Sequence, residues 1–271
     1  MAITNFIPQV WSARLQENLK KSLIFGSLCN RNYEGDIAQW GDTVHINTLN
    51  DITVKAYNPA ISIDDPEQLS GTDTTLTIDH GAYYNFYIND ADAAQARTDL
   101  MDAAMRNAAY RLAADAESYI ISTIRQGAGA KADFPMPTVE GGELYELLLQ
   151  IKTGFDHMGV PRHDRKLIIP PDLEAMLLMD DRFITGSNAA AERLEEGAVA
   201  RALGFDIYIS LDLDNELVAM IPDAVTFANQ ITKVEAYRPE KGFSDGLKGL
   251  CLSGAKVIIP QAVCVCNLVS E

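Results

Sequence analysis

The chain is short of cysteine, histidine, tryptophan and positive charge. Its 271 residues include 4 Cys, 4 His and 2 Trp, and 22 basic side chains face 38 acidic ones, for a formal charge of −16. The cysteines (Cys29, Cys251, Cys264, Cys266) are too few and too unevenly spaced for a disulfide framework or paired zinc knuckles, and read as reduced, small hydrophobes. The acidic excess disfavours generic binding of DNA or RNA through phosphates. No stretch approaches the ~18 apolar residues of a membrane helix. Met1 to Val10 has neither the basic start nor the apolar run of a signal peptide, so a cytosolic chain with no membrane association is expected. With 47% hydrophobic and 22% charged residues, the composition is that of a soluble globular protein, sufficient for one large domain or two small ones.

Motifs of chemistry fail on context. Gly242-Phe243-Ser244-Asp245-Gly246 matches the nucleophile elbow of hydrolases by letter. An elbow needs a strand before the serine and a helix after it. Here Arg238-Pro239-Glu240-Lys241 precedes, a strand-like Leu247 to Leu252 follows, and no histidine lies downstream. His157 and His163, beside Asp156 and Asp164, lack the spacing that puts two imidazoles on one helical face. Cys264 and Cys266 point to one face of a strand, whereas zinc sites use C-x-x-C on a turn, so core positions fit better. Asp212-Leu213-Asp214 begins like a calcium loop but has Leu217 where the sharp turn demands glycine. Gly127-Ala128-Gly129 has no third glycine and no P-loop lysine. Asp64/Asp65 and Asp180/Asp181 read as solvated turns. No catalytic residue, cofactor or metal ligand is nominated.

The periodicities carry more. Trp11, Leu15, Leu19 and Leu23 follow Pro8 at intervals of four, an amphipathic helix that either packs on its own domain or docks on another subunit. Between Gly41 and Tyr87, Thr43–Asn47, Ile52–Val54, Ile61–Ile63 and Leu76–Ile78 alternate as short strands around Asn58-Pro59, Asp64-Asp65-Pro66-Glu67 and Ser70–Asp73. Such a two-stranded excursion buries little and needs a surface to lie on. Asn89 to Gln126 has no Gly or Pro, carries 11 Ala, opens on Asn89 as a cap and stops at Gly127. It predicts a very long helix with a stripe of Met101, Ala104, Ala108, Leu112, Ala116 and Tyr119, and ion pairs Asp102–Arg106 and Arg111–Asp115. Beyond it, helices are expected at Glu143–His157, Pro171–Met179 and Arg193–Leu203. Strands are expected at Lys166–Ile169, Phe205–Ser210, Leu217–Ile221, Ala224–Ala228, Ile231–Tyr237, Leu247–Leu252, Ala255–Ile259 and Ala262–Val269. The pattern is α+β, with a middle domain inserted between the long helix and the strands packed under it.

This order of parts, with Phe6-Ile7-Pro8-Gln9-Val10-Trp11-Ser12-Ala13-Arg14, Gly41-Asp42-Thr43-Val44, Asp64-Asp65-Pro66-Glu67, Leu100-Met101-Asp102-Ala103-Ala104, Gly204-Phe205-Asp206-Ile207-Tyr208-Ile209-Ser210 and Val234-Glu235-Ala236-Tyr237-Arg238-Pro239, resembles the major capsid (coat) proteins of tailed bacteriophages, the Hong Kong 97-like fold. The resemblance implies an N-terminal arm (1–40), an extended β-hairpin loop (41–87), a peripheral domain (88–141 and 229–271) with spine helix 89–126, and an axial domain (142–228). It implies a structural subunit of an icosahedral shell, self-assembling as hexamers and pentamers around double-stranded DNA that is enclosed without sequence-specific binding. An encapsulin-like nanocompartment shell is the nearest alternative and a cytosolic hydrolase a distant one. The implied partners are further copies of the chain, a portal, a decoration protein and a separate scaffolding protein. The scaffold is taken as separate because only about 40 residues precede the extended loop. The family offers no catalytic residues, and no lysine–asparagine pair is nominated for cross-linking.

Head-to-tail contacts in a shell set unlike patches against each other. The acidic tip of Asp64, Asp65, Glu67 and Asp73 is therefore expected to meet basic side chains of the next subunit, with Arg14, Lys20, Lys21, Arg97 and Arg106 as candidates and Trp11 and Leu15 as apolar contacts of the arm. An acidic shell also lets packaged polyanion slide.

Overall fold

The computed structural model describes residues 24–34, 39–49, 52–54, 68, 71–89, 100–137, 143–179, 198–239 and 244–269. Strands β1 (Thr43–Leu49) and β2 (Gly71–Thr77) pair antiparallel as a ribbon, Thr43 opposite Thr77. Alternation puts Ile46 and Leu76 on one face, where they are buried with Ile78, Ala228 and Leu252. The last two belong to the sheet beneath, so the ribbon's base has the support that an isolated hairpin lacks.

That sheet has the order β3-β10-β9, from β3 (His80–Asn89), β9 (Val225–Tyr237) and β10 (Ser244–Val257), all antiparallel. A register shift at Leu250/Cys251 marks a bulge in the β9–β10 ladder. A one-turn helix α1 (Phe25–Leu28) and the long α2 (Leu100–Gly127) cover one face. At 1.5 Å per residue, α2 spans about 42 Å. It buries Met105, Ala109, Leu112, Ala113, Ala116, Ile120, Ile121 and Ile124.

A second sheet has six strands in the order β4-β11-β8-β5-β7-β6. They are β4 (Ala130–Pro135), β5 (Arg165–Ile169), β6 (Ala198–Ala202), β7 (Phe205–Ile209), β8 (Glu216–Met220) and β11 (Val263–Val269). Helices α3 (Glu143–His157) and α4 (Pro171–Met179) accompany it. All five residues of β8 are buried, which explains a run with no alternation. The chain passes between the sheets through the 3-10 turns Pro222–Ala224 and Pro260–Ala262, and one apolar core spans both.

The structure departs from the sequence reading in several places. Asn89 ends a strand, paired with Ser244, and caps no helix; the described part of α2 begins at Leu100. Strand β3, not foreseen, carries His80–Asn89 out of the excursion and into the sheet under α2. Ile52–Val54 form no strand. Residues 198–202, expected as helix, form β6 against β7. Leu203 (φ 53°) and Gly204 (φ 90°) make the positive-φ pair of a tight hairpin, so the glycine that resembles a helix cap is a turn residue. The buried stripe of α2 is rotated from the expected one: Leu112 and Ala116 belong to it, Ala104, Ala108 and Tyr119 are only half-buried, and Met101's side chain lies outside the description. Asp115 takes His80 Nε2 at 2.6 Å where sequence spacing paired it with Arg111. The four expected strands from Ala224 to Ile259 are two long ones. β4 was not foreseen as a strand, and β11, grouped by sequence with the strands under the long helix, instead pairs with it at the edge of the six-stranded sheet.

Candidate subunit interface

The ribbon covers one end of the sheet face turned away from α2, through Leu252 and Ala228, and leaves the end that carries Tyr83 and Tyr87 bare. Cross-strand register puts Tyr87, Gly246 and Tyr237 in one row, Asn85, Lys248 and Glu235 in the next, and Tyr83, Leu250 and Lys233 in a third. Tyr83 is 78% exposed and Tyr87 63%. Lys248 Nζ sits 2.8 Å from Glu235 and 5.7 Å from the centre of the Tyr237 ring, and Tyr237 donates its hydroxyl to Asn85 Oδ1 at 2.7 Å. A groove of about 410 Å³ runs between Tyr83, Lys233, Lys248 and Leu250. These residues hold the surface in shape, while the two exposed tyrosines spend no apolar area inside the chain. Trp40 and Tyr110, each 61% exposed, add aromatic surface elsewhere.

The opposite face is built for rigidity. Tyr84 and Phe86 stack at 5.9 Å, and burial pushes the Tyr84 phenol up to about 12. His80 stacks on Tyr119 at 4.3 Å, and Tyr119 donates to Asp79 Oδ1 at 2.6 Å, tying α2 to the corner between β2 and β3. Arg125 near the end of α2 makes a fork-like ion pair with Glu216 of β8 and joins the helix to the second sheet. Glu117, buried in the middle of α2, accepts Ile24 N–H at 2.5 Å and Phe25 N–H at 3.4 Å, so it caps α1.

The ribbon is held by a close backbone approach. A Cβ on Gly254 of β10 would stand 2.6 Å from the carbonyl oxygen of Thr77, which cannot yield as a side chain could. Gly254→Ala is expected to cost about 2 kcal/mol, as overpacking in a filled contact does. Urea denaturation checks it, and unchanged stability would show that the ribbon rests on this contact only loosely.

Of the residues singled out in the sequence, Trp11, Arg14, Leu15, Lys20, Lys21, Asp64, Asp65, Glu67 and Arg97 lie outside the described residues. Asp73 sits on β2 and bonds His45 Nδ1 at 2.7 Å within the same chain, so it already has a partner. Arg106 is exposed on α2. Tyr83, Tyr87 and Tyr237 were missed. The alternation of Tyr83, Asn85 and Tyr87 against Ala82, Tyr84 and Phe86 was readable as a strand, but aromatics on both faces hide which face is covered. Ser244 begins β10, so no nucleophile elbow forms there. The described residues contain no cluster of three potential metal ligands and no helix long and apolar enough to cross a membrane.

Two sheets strapped together by one long helix, with aromatic side chains left bare on a stiffened face, define a subunit made to be covered by other subunits. The family model described as phage capsid protein matches residues 72–265, and the chain belongs to that family. It is a structural capsid protein of the virion, not an enzyme, and assembles with its own kind into a shell. A solved chain from Mycobacterium phage Che8 is 26% identical, with 98% of each chain covered and a TM-score of 0.72. The capsid of cyanophage P-SCSP1u shares the fold at 16% identity and TM-score 0.72, over 92% of this chain and 89% of that one. A virus-like particle from Pyrococcus furiosus shares it at 16% identity and TM-score 0.58, over 96% and 99%. No curated protein matches.

Proposed function

We propose that the chain forms the hexamers and pentamers of an icosahedral phage head, assembled in the host bacterial cytoplasm around a separate scaffolding protein, with a portal at one vertex, a decoration protein outside and double-stranded DNA within. The capsid family match carries this reading, and the exposed Tyr83–Tyr87 face supports it as aromatic area of the kind that a neighbouring subunit covers. The sheet β3-β10-β9 with α2 is read as the peripheral domain, and the six-stranded sheet as the axial domain, with β4 and β11 reassigned to it. The acidic segment Asp64-Asp65-Pro66-Glu67 would find basic side chains on a neighbouring subunit, guiding register more than adding stability, since exposed pairs contribute about 0–1 kcal/mol each.

Electron microscopy of the chain co-expressed with its neighbouring genes tests this. Shells containing DNA support the reading; shells filled with an enzyme cargo would favour a nanocompartment. Tyr83→Ser combined with Tyr87→Ser should leave the melting temperature unchanged and abolish shells. Charge reversal of Asp64, Asp65 and Glu67 should slow assembly and flatten its salt dependence. Normal shells from both variants would remove the proposed contacts.

A further inference from the structure

Cys264 and Cys266, two positions apart on β11, turn their side chains to the same side, toward α3. Their sulfurs lie 3.5 Å apart, one S–H donating to the other sulfur, and all four cysteines of the chain are free thiols. The pair lies at the floor of a cavity of about 220 Å³ walled by Phe134, Ile151, Gly154 and Phe155. A Cβ on Gly154 would have nothing within 4 Å, so the space beside the thiols is open at that point of the wall. An apolar cavity of about 150 Å³ already accommodates a benzene-sized ring.

Three fates for such a pair can be compared by geometry. A disulfide would have to close across two residues of a strand, whose Cα atoms stand about 6.6 Å apart, near the upper limit for the bond. A linear two-coordinate cation needs sulfurs separated by twice a metal–sulfur bond, about 4.6 Å with bonds of about 2.3 Å. The observed 3.5 Å subtends an angle of about 100° at a centre with such bonds. A tetrahedral ion would set the sulfurs about 3.8 Å apart but needs further ligands, and the described residues hold no group of three, whereas a pyramidal centre with a lone pair is satisfied by two sulfurs and one substituent.

We propose that Cys264 and Cys266 form a dithiol site that chelates a pyramidal, thiophilic centre, trivalent arsenic carrying one apolar substituent, with that substituent seated in the cavity. With an organoarsenic oxide, both arsenic–oxygen bonds are replaced by two arsenic–sulfur bonds, and the two thiol protons leave with the oxygen as water. Arsenic stays trivalent, so no oxidant is needed. The S–H of Cys266 holds the Cys264 thiol below its ordinary value against the opposing effect of burial, and Cys266 is pushed up correspondingly. The sulfur that accepts the S–H is the one that attacks first. Burial pushes Cys29 up to about 12 against the pull of Arg31, and burial with the nearby Asp115 carboxylate does the same to Cys251; neither belongs to this close pair.

The probe is phenylarsine oxide at one equivalent with the folded chain, read by intact mass. One phenylarsenic per chain is expected, removed by excess dithiothreitol but not by a monothiol. Cys264→Ser and Cys266→Ser should each abolish it, while Cys29→Ser keeps it. Gly154→Leu leaves both thiols in place and adds a better helix former, and should slow capture about tenfold by closing the approach. Retention of the adduct in Cys266→Ser would overturn the proposal. So would capture by the guanidinium-unfolded chain but none by the folded one.

Discussion

Glu117→Gln is expected to stabilise the folded chain by about 2 kcal/mol at pH 8 and to change nothing at pH 4. Glu117 is 6% exposed, at the meeting of α1, α2 and the loop after β7. Burial, then a hydrogen bond to the Asp212 side chain beside it, push its carboxyl from 4.5 up to about 7, while the Ile24 and Phe25 N–H groups pull the other way. Below pH 4.5, folded and unfolded chains both hold the proton and stability does not depend on it. Between 4.5 and 7 the unfolded chain ionises while the folded one keeps its proton, so stability falls as pH rises, by about 1.4 kcal/mol per unit. Above 7 the loss is complete and a buried carboxylate faces Asp212. Glutamine keeps an oxygen for Ile24 N–H and offers an amide N–H to Asp212. Guanidinium denaturation of unassembled protein from pH 4 to 9 checks it; parallel profiles for the two proteins would rule out the shared proton.

Arg165→Ala should cost about 4 kcal/mol, the loss expected when one partner is taken from a buried charged network. Arg165 is the largest fully buried side chain, 1% exposed at the start of β5. Its guanidinium donates to Pro161 O at 2.8 Å, Val160 O at 2.6 Å and Asp156 Oδ1 at 2.8 Å, between the rings of Phe155 and Phe205, which pack edge to face. The Arg165 hydrogen bond, with Arg162 close by, holds the Asp156 carboxyl below the usual range, and Asp164 is held at φ 56° in the same turn. Truncation opens a cavity and leaves two carbonyls without donors. Arg165→Met restores most of the volume but no donor, so it should recover only part of the loss. Full recovery in thermal denaturation would show that the site needs volume alone.

Much of the architecture was legible in the sequence because it rests on local signals. The Ala-rich run without Gly or Pro specifies α2 from within, and Pro171 and the acidic first turns of α3 and α4 mark starts that need no tertiary partner. The failures share a physical cause. Ala198–Ala202 is a strand because β7 offers it an edge and Leu203-Gly204 turn tightly, and Asn89 is a strand end because Ser244 pairs with it. Ser244 lies 155 positions from Asn89, beyond any local pattern, whereas β7 follows β6 at once and was hidden because Ala198-Val199-Ala200-Arg201-Ala202 suits a helix as readily as a strand.

The sequence by itself determined that the chain is an acidic α+β protein with one dominant helix, because composition, periodicity and spacing depend only on neighbours along the chain. Only the tertiary structure decided that β11 leaves the long helix for the other sheet, that Glu117 joins three elements, that two thiols meet in a cavity, and which face of β3 is bare. Strand pairing brings together residues more than a hundred positions apart, and nothing local records that choice.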